Sequence, residues 1–309
     1  MAKTFIITGG SNGIGKETAR IIASRHPEAK VIITGRSKET VNKACLNLQP
    51  LKNIEGYALE LTDFASIKQF ADVINTNVAS GNWVLASIVH NAGMQLSSFE
   101  RTAIGIEKTF HANHIGTFYL NKLILDALKK QVEDPSTPCR MIIVSSDTHD
   151  PKAKTGVPPP VFEDPRELTY IGREGFSKMT DSLLAYSSSK LCNVLYTYKL
   201  AQQLPAGLTV NAFNPSLVPG TGLTREHNIF IRGIASTILP LISSSLGGST
   251  LARSCGGLAD LMDSPTYDGV TAKYVDITQI KSSSDWSYDE HRQNLLWDLS
   301  EEIVTKHAG

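Results

Sequence analysis

The stretch TFIITGGSNGIG, residues 4–15, decides the fold. Its apolar start is short enough for a strand buried on both faces, and Gly9, Gly13 and Gly15 follow it at the spacing G-x-x-x-G-x-G. Glycine lets the backbone turn tightly and lets a pyrophosphate approach without an intervening Cβ. A helix starting near Gly13 would offer the phosphates its free N–H groups and positive dipole end. The stretch therefore predicts a phosphate-binding strand–loop–helix unit, with an ordinary glycine turn as the alternative.

Strand-like and helix-like periods alternate along the rest of the chain. Strands are expected at residues 4–8, 30–34, 54–61, 85–90, 140–146, 208–214 and 272–276. Helices are expected from the glycine loop to about residue 25 and at 38–48, 64–79, 103–131, 179–204, 247–262 and 288–305. This alternation implies right-handed βαβ units, and so an α/β fold with a parallel sheet and helices on both faces. Residues 1–309 are expected to form a single dinucleotide-binding domain, with loop excursions at about 147–178 and 216–246.

The composition argues against several classes of protein. Thirty basic residues balance thirty acidic ones, which disfavours nucleic-acid binding through bulk charge. The four cysteines, at 45, 139, 192 and 255, form no cluster at metal-ligand spacing, so no metal site is predicted and a reducing, cytoplasmic location is favoured. No signal peptide fits the start, and the apolar segment at 229–246 is too interrupted to span a bilayer. That segment is predicted to be a helical flap with one apolar face, which leaves weak contact with a membrane surface open.

The end of the second expected strand bears on the choice of cofactor. A site for NAD usually places Asp or Glu there, to bond the ribose 2′-hydroxyl. This chain instead reads VIITGRSK, with Arg36 and no acidic residue before Glu39. An arginine side chain can form paired hydrogen bonds with a 2′-phosphate, so the sequence favours NADP over NAD. The alternative for Arg36 is a solvated charge ahead of the next helix.

Tyr186 and Lys190 stand four residues apart in AYSSSKLCN, residues 185–193. On a helix, residues at this spacing share a face. A lysine ammonium about 4.5 Å from the phenol would stabilise the phenolate by roughly 3.7 kcal/mol at an effective dielectric of about 20. We therefore expect Lys190 to lower the pKa of Tyr186 into the range that suits acid–base catalysis. Alone, the pair would indicate no more than a surface contact.

Five motifs occur together: TGGSNGIG (8–15), HNAG (90–93), ANHIG (112–116), IIVSS (142–146) and YSSSK (186–190). In this order they resemble the short-chain dehydrogenase/reductase family, and the resemblance covers roughly residues 4–225. It implies a single Rossmann-type, doubly wound parallel sheet. It also implies that Tyr186 protonates a substrate carbonyl oxygen as hydride arrives from the nicotinamide, while Ser146 hydrogen-bonds the same oxygen.

The resemblance implies supporting roles as well. Lys190 would lower the pKa of Tyr186 and bond the nicotinamide ribose, and Asn113 would hold a water that links Lys190 to solvent. Asn91 would support the central sheet beside the cofactor. The residues implied for cofactor binding are Thr8, Gly9, Ser11, Asn12, Gly13, Ile14, Gly15, Arg36, Leu61, Asn91, Ala92, Gly93, Tyr186, Lys190, Pro215 and Thr221.

Further motifs narrow the branch of the family. YSSSKLCNVL, VPPP and TGLTREH (221–227) are similar to the light-dependent protochlorophyllide reductases, while NHIGTF and SSDTH resemble retinol-dehydrogenase-type members. Leu217 stands where the photoenzyme has a cysteine, and Ser216 where it has a glycine. Glu60 replaces the aspartate that usually contacts adenine, although the Leu61 backbone could still serve.

Three histidines lie near these motifs. His90 and His114 fall inside structural motifs and are expected to be packed or hydrogen-bonded. His149 follows Ser146 by three residues and is a candidate for the mouth of the substrate pocket.

The expected function is NADPH-dependent reduction of a carbonyl on a lipophilic small molecule, such as a retinoid, steroid or polyketide-like compound. The excursion at 147–178 and the flap at 229–246 would wall the substrate pocket. Two alternatives stay open: reduction of an enone carbon–carbon double bond, and NADPH sensing by an interaction protein without turnover. The helices at 103–131 and 179–204 form dimer faces in many relatives, so a homodimer also stays open.

Overall fold

The computed structural model, which describes residues 2–164, 166–170, 178–216 and 249–308, arranges eight strands in one sheet. In chain order they are β1 (Lys3–Ile7), β2 (Lys30–Gly35), β3 (Ile54–Ala58), β4 (Val84–His90), β5 (Cys139–Val144), β6 (Leu208–Asn214), β7 (Tyr274–Asp276) and β8 (Gln279–Lys281). They lie in the order β3-β2-β1-β4-β5-β6-β7-β8. Neighbouring strands are parallel up to β7, and β8 is antiparallel to β7. The order reverses between β1 and β4, so a ligand crevice is expected at their carboxyl ends.

Helices cover both faces of this sheet. Within the described residues, in chain order, they are α1 (Gly13–Arg25), α2 (Lys38–Asn47), α3 (Phe64–Ala79), α4 (Lys108–Phe110), α5 (Gly116–Gln131), α6 (Arg166–Tyr170), α7 (Lys178–Ala201), α8 (Leu251–Asp263) and α9 (Glu290–His307). On one face, Ile22 of α1 and Leu258 of α8 share a core cluster with β1. On the other face, α3, α5 and α7 contribute Ile74, Leu120 and Leu195 to a second cluster. The predicted doubly wound sheet is therefore confirmed.

The central strands are short apolar runs because both of their faces are covered. Ile6 and Ile7 of β1 are fully buried, and so are Ile32 and Ile33 of β2. Successive side chains of a strand point to opposite faces, so burial of neighbouring residues means that both faces lie inside the protein. A strand with one solvent face would instead have alternated apolar and polar residues.

The helix expected at 103–131 begins later than predicted. Residues 101–107 form a turn closed by a bridge between Arg101 and Glu107. The Glu107 carboxylate then accepts hydrogen bonds from Thr109 N at 2.9 Å and from Phe110 N at 2.6 Å. These bonds satisfy free N–H groups of the first helical turn, so Glu107 marks the start of the helix.

Asn113 lies in a π turn, His111–Ile115, that joins α4 to α5. Gly116 N bonds to His111 O, which closes a loop of five residues. Such turns are rare and are frequent at functional sites. The sequence does not predict this π turn, because one wider turn hardly changes the spacing of apolar residues along a long helix.

Strand β8 is absent from the sequence-based expectations. Its three residues are all exposed, so they show no apolar pattern. The chain reverses before it through Ile277, whose φ of 58° lies in the left-handed region that a β-branched residue rarely adopts. Turns of this kind normally contain glycine or asparagine. The segment at 276–279, DITQ, has neither, so the sequence does not predict a turn there.

Helix α9 covers the outer side of α5 and α7. The ring of Trp297 lies 5.2 Å from that of Phe118 and 5.9 Å from that of Tyr196, measured between centroids. Lys122 of α5 forms an ion pair with Glu301 of α9. The two helices proposed as dimer faces therefore meet the chain's own last helix here. The homodimer and the single-domain organisation both stay predictions.

No helix within the described ranges is long and apolar enough to cross a membrane. The predicted flap at 229–246 lies outside the described residues, as do residue 165 and residues 171–177 of the first excursion. The described part of that excursion contains a 3-10 turn, Asp147–His149, and helix α6.

Three of the histidines that are buried in the described chain, His90, His111 and His114, are held neutral by their burial. Burial lowers the pKa of His90 and His111 to about 4, and that of His114 to about 3. Nε2 of His114 lies 2.8 Å from Ser300 Oγ, and Nδ1 of His111 lies 3.2 Å from Thr102 Oγ1. The structure agrees with the prediction that His90 and His114 are packed or hydrogen-bonded.

These histidines predict a stability that is sensitive to acid. The unfolded chain protonates each of them near pH 6.5, whereas the folded chain resists protonation until about pH 4 or below. The free energy of unfolding should therefore be fully retained above about pH 6.5 and fall below it, by up to about 4 kcal/mol per pH unit from these three groups. Urea titrations at a series of pH values measure this slope.

His114→Asn should lower the slope by about one proton, or roughly 1.4 kcal/mol per pH unit. The control is His291→Asn, because His291 is exposed on α9. The explanation fails if the two variants give the same slope as the wild type.

Candidate functional site

The glycine loop lies directly against the end of β4. Gly9 has a φ of 66°, in the left-handed region, and a Cβ at this position would lie 2.8 Å from the Cα of Ala92. A Cβ on Gly15 would lie 2.5 Å from the side-chain nitrogen of Asn91. That nitrogen donates a hydrogen bond to Thr8 O at 2.9 Å. Glycine therefore permits the close approach, and Asn91 fastens the loop to β4.

The Thr8 side chain ties the end of β1 to its neighbours. Its buried hydroxyl donates to Val89 O at 3.2 Å and accepts from Ala92 N at 3.0 Å. On the other side, Gly9 N donates to Thr34 Oγ1 at 3.2 Å. Because the Thr8 hydroxyl already bonds to Val89 O and Ala92 N, Thr8 would contact a cofactor through its backbone atoms.

A cavity of about 270 Å³ opens in front of the loop, at the carboxyl ends of β1 to β4. Of the residues implied for cofactor binding, those that line it are Gly9, Ser11, Asn12, Gly13, Ile14, Arg36, Leu61, Asn91, Ala92 and Gly93. Lining residues that the sequence analysis missed are Gly35, Thr40, Leu59, Met94, Gln95 and Ala112. Most of these lie at or just beyond the ends of β2, β3 and β4. The rule that ligands bind at the carboxyl edge of a parallel sheet could have found them.

Helix α1 begins at the cavity with its first N–H groups available. Asn12 is the residue before the helix, and its side chain makes no capping hydrogen bond. Those N–H groups, together with the positive end of the helix dipole, are suited to an anion such as a pyrophosphate. The loop therefore fits the phosphates of a dinucleotide.

Arg36 lines the same cavity just beyond β2. Its side chain is exposed, and among the described residues no hydrogen bond or ion pair engages it. Ser37 caps α2 by accepting a hydrogen bond from Thr40 N at 3.2 Å. The guanidinium is thus a cation at the cavity rim that could pair with a phosphate.

Glu60 occupies the position where the resemblance expects aspartate. Its Oε1 accepts hydrogen bonds from Thr62 N at 3.0 Å and from Thr62 Oγ1 at 2.8 Å. The carboxylate therefore bonds within its own turn, while Glu60 and Leu61 both line the cavity.

Asn113 links the HNAG segment to helix α7. Its Oδ1 accepts from Met94 N at 2.7 Å, and its Nδ2 donates to Met94 O and to Ser189 Oγ, both at 3.0 Å. A Cβ on Gly93 would lie 3.1 Å from Asn113 Oδ1 and 3.6 Å from Lys190 Nζ. Since Gly93 also lines the cavity, the cavity reaches the predicted catalytic set at this residue. The water-holding role of Asn113 stays a prediction.

Lys190 is buried beside the tyrosine. Its Nζ donates to Val144 O at 3.1 Å and lies 5.5 Å from the centroid of the Tyr186 ring. Burial lowers the pKa of Lys190 to about 8. Ser145, the buried residue before Ser146, donates to Lys190 O at 2.7 Å.

Burial raises the pKa of Tyr186 above its ordinary value. The negative charge of Asp147 acts in the same direction, and hydrogen bonding with Ser146 opposes it. The expectation that the pKa of Tyr186 lies in the lowered range suited to acid–base catalysis is therefore wrong for the chain alone, where burial has the largest effect. Desolvation disfavours both the phenolate and the ammonium, so the surface-like dielectric assumed for the pair does not apply.

Ser146 directly follows β5 and precedes the 3-10 turn. It is half-buried, and its hydroxyl donates to Asp147 Oδ1 at 2.9 Å and accepts from Thr148 N at 3.3 Å. The structure thus gathers Ser146, Tyr186 and Lys190 at the end of β5, at the carboxyl edge where ligands bind parallel sheets.

His149 is enclosed rather than open to a substrate. Ser284 N donates to Nε2 at 3.0 Å, so Nδ1 carries the proton and donates to Ser146 O at 2.7 Å. The ring also packs against Tyr274, with centroids 4.7 Å apart. His149 therefore joins the C-terminal segment to the end of β5, and its proposed place at the substrate mouth is wrong.

The segment after β6 is described only at its start. Pro215 O accepts a hydrogen bond from Ser254 Oγ at 2.6 Å, which fixes it to α8. Ser216, which replaces a glycine of the photoenzymes, has a φ of 61°, the region that glycine favours. Leu217 and Thr221 lie outside the described residues.

Metal-binding groups are scattered in the part of the chain that the structure describes. Within it, no three His, Cys, Asp or Glu side chains come together so as to hold a metal ion. Its four cysteines are free thiols.

Sequence comparisons relate the chain to known oxidoreductases. The family profile described as short chain dehydrogenase matches residues 3–153. The chain is 29% identical over 307 residues to short-chain dehydrogenase TIC 32 B, chloroplastic, of Brassica napus, covering 97% of this chain and 88% of that protein. It is also 29% identical over 317 residues to the WW domain-containing oxidoreductase of Gallus gallus, covering 99% of this chain and 69% of that protein.

A solved structure shares the fold. The Pseudomonas aeruginosa RhlG/NADP active-site complex matches with a TM-score of 0.64 and 20% sequence identity, covering 90% of this chain and 95% of that one. The similarity supports a Rossmann-type sheet as the framework of the cavity.

Gly15→Ala should disrupt the loop. The new methyl group would lie 2.5 Å from Asn91 Nδ2 and 2.8 Å from Gly9 O, so the loop or β4 must move. We expect NADPH binding to weaken by more than about tenfold in calorimetric titration, corresponding to about 1.4 kcal/mol.

Gly256→Ala is the matched control, because it lies in α8 and a Cβ there meets no atom within 4 Å. It should keep NADPH affinity and gain up to about 1 kcal/mol of stability from helix propensity. Equal affinities in both variants would contradict the steric argument.

Proposed function

We propose that the chain, which is similar to short-chain dehydrogenases, is an NADPH-dependent oxidoreductase that reduces a carbonyl of a lipophilic small molecule. Gly93 carries the proposal, because it lines the cavity and also borders Asn113 and Lys190. The cavity thus ends near the buried amine of Lys190, which lies 5.5 Å from the centroid of the Tyr186 ring. Reduction of a carbonyl needs a proton donor in this place.

Bound NADPH would supply the hydride, and the chain would supply the proton. Tyr186 is suited to be the donor, because burial raises its pKa and keeps the phenol protonated at neutral pH. Lys190, with a pKa of about 8, is mostly protonated at that pH and would offset the charge left on the phenolate. The Ser146 hydroxyl would orient the carbonyl oxygen.

The choice of NADPH over NADH rests on Arg36. Its guanidinium stands at the cavity rim, exposed and without a described partner. A 2′-phosphate would give it a charge-assisted, two-pronged hydrogen bond, while a 2′-hydroxyl would not. Glu60, the nearby acid, already bonds to Thr62.

The lipophilic substrate class is supported by the segment before α7. Phe162 and Leu168, both 1% exposed, pack into the core cluster on the catalytic side of the sheet. Val161 N donates to Ser188 Oγ at 3.0 Å, which attaches this segment to α7 two residues after Tyr186. The excursion therefore lies next to the reacting groups, as expected of a pocket wall. We also propose a cytoplasmic location, and a homodimer and weak contact with a membrane surface stay open.

Reduction of an enone double bond would use the same cavity, with proton delivery to carbon instead of oxygen. A cofactor sensor without turnover would need no proton donor, so the retention of Tyr186, Lys190 and Ser146 argues for catalysis. A panel of aldehydes, ketones and enones distinguishes these functions.

Arg36→Ala should weaken NADPH binding by about 10- to 100-fold, since a hydrogen bond to a charged group contributes about 1.5–3 kcal/mol. NADH affinity should stay unchanged, because NADH lacks the phosphate. Lys43→Ala is the control, as it removes an exposed cation from α2 away from the cavity lining. Equal losses for both cofactors would exclude contact with a 2′-phosphate.

Tyr186→Phe should keep NADPH binding and lower NADPH consumption by about 10²- to 10⁴-fold, the usual contribution of a general acid. The assay compares wild type and variant, in the dark, on the carbonyl panel. Tyr198→Phe serves as the control, because it removes another phenol from α7 whose hydroxyl bonds to Ser283. Turnover that survives in Tyr186→Phe would remove tyrosine as the acid.

A further inference from the structure

One backbone oxygen at the end of β5 joins two side chains of α7. Val144 is the last residue of β5, and its carbonyl oxygen accepts hydrogen bonds from Lys190 Nζ at 3.1 Å and from Asn193 Nδ2 at 3.0 Å. The two donors stand three residues apart, so they lie on the same face of the helix. Because they bond to one oxygen, the ammonium and the amide are direct neighbours.

The shared oxygen limits how the ammonium can bond. A backbone carbonyl oxygen has two lone pairs, and an ammonium has three N–H groups. Asn193 takes one lone pair of Val144 O, which leaves one for Lys190. Within the described ranges no other acceptor bonds to Lys190 Nζ. Two N–H groups of the ammonium are therefore left for other acceptors.

The same ammonium borders the cavity in front of the glycine loop. Gly93 lines that cavity, and a Cβ on Gly93 would lie 3.6 Å from Lys190 Nζ. Nζ also lies 5.5 Å from the centroid of the Tyr186 ring. A group bound in the cavity and the Tyr186 side chain are therefore the neighbours that the two remaining N–H groups can meet.

The stability of the fold does not explain an asparagine at position 193. Asn193 is 3% exposed, and its Oδ1 accepts no hydrogen bond from any residue that the structure describes. A buried amide oxygen without a donor opposes folding. A leucine would have the same branching without that oxygen, and Val144 O would keep its bond from Lys190.

We propose that Asn193 is a positioning residue that acts through Lys190: by taking one lone pair of the Val144 carbonyl, its amide fixes where the ammonium donates and keeps the other N–H groups available to a cofactor in the cavity. Without this amide, the ammonium could donate to both lone pairs of the carbonyl and turn away from the cavity. The part of the inference that concerns the cofactor rests on the proposed function, whereas the shared carbonyl does not.

The test is a double-mutant cycle in which calorimetric titration measures NADPH binding. Asn193→Leu should weaken NADPH binding about tenfold or more, because a misplaced Lys190 loses a hydrogen bond between its charged group and the cofactor. In the Lys190→Met background the same substitution should change the affinity less than about twofold, because no ammonium is left to position. A merely structural role of Asn193 would weaken binding equally in both backgrounds.

Asn121→Leu is the control for replacing a buried asparagine. Asn121 is 1% exposed, its Oδ1 also has no partner among the described residues, and its Nδ2 donates to Tyr196 OH at 3.2 Å instead of to the end of β5. This variant should keep the NADPH affinity of its background. The inference is overturned if Asn193→Leu weakens binding equally in both backgrounds, or in neither. Asn193→Ala takes its place if the leucine variant does not fold.

Urea unfolding of the chain without cofactor separates this inference from the proposed function. In the wild type, Asn193→Leu leaves Val144 O bonded to Lys190, so the urea midpoint should stay unchanged or rise. In Lys190→Met the same substitution removes the remaining described side-chain donor to Val144 O, so the midpoint should fall. Equal shifts in the two backgrounds would contradict the shared carbonyl. If the wild type binds no NADPH, the proposed function fails, and the unfolding data still decide whether Asn193 and Lys190 share this oxygen.

Discussion

The contact between the glycine loop and the end of β4 is the constraint on which the rest of the structure depends. Gly9 could not carry a side chain, because its Cβ would lie 2.8 Å from the backbone of Ala92. The Asn91 amide then holds the loop by its bond to Thr8 O. This approach occurs where the strand order reverses, so the start of α1 faces an open crevice. The cavity, its anion-binding helix end and its junction with the catalytic set at Gly93 all follow from it.

The chemistry of the second half of the site is governed by burial. Tyr186 and Lys190 are 8% and 5% exposed, so each is held toward its neutral form. For a reductase this is useful, because the phenol begins each cycle with its proton. The amine, with a pKa of about 8, still carries a charge at neutral pH and can stabilise the phenolate after proton transfer. Asp147 adds a charge that opposes early loss of that proton.

The strand pattern could be predicted because helices cover both faces, which makes each central strand a short apolar run. The exposed β8 has no such run. The turn before it places Ile277 in the left-handed region, which a β-branched residue rarely adopts. For the site, glycine spacing and the sheet-edge rule locate Gly9 and Arg36. The sequence could not predict that the pKa of Tyr186 is raised. The four-residue spacing from Lys190 indicates that the two side chains are close, but it does not indicate how deeply they are buried. The bonds of Ser146 likewise depend on a turn that local sequence does not specify.

The most direct test of the central claim is the fate of deuterium from NADPH deuterated at nicotinamide C4. The wild-type chain would be incubated with lipophilic enones, each with both a ketone and a conjugated double bond, and the products analysed by mass spectrometry and NMR. Transfer to the carbonyl carbon, giving a deuterated allylic alcohol, is the predicted result. Deuterium on the β-carbon of a saturated ketone, or no transfer although NADPH binds, would contradict carbonyl reduction as the function.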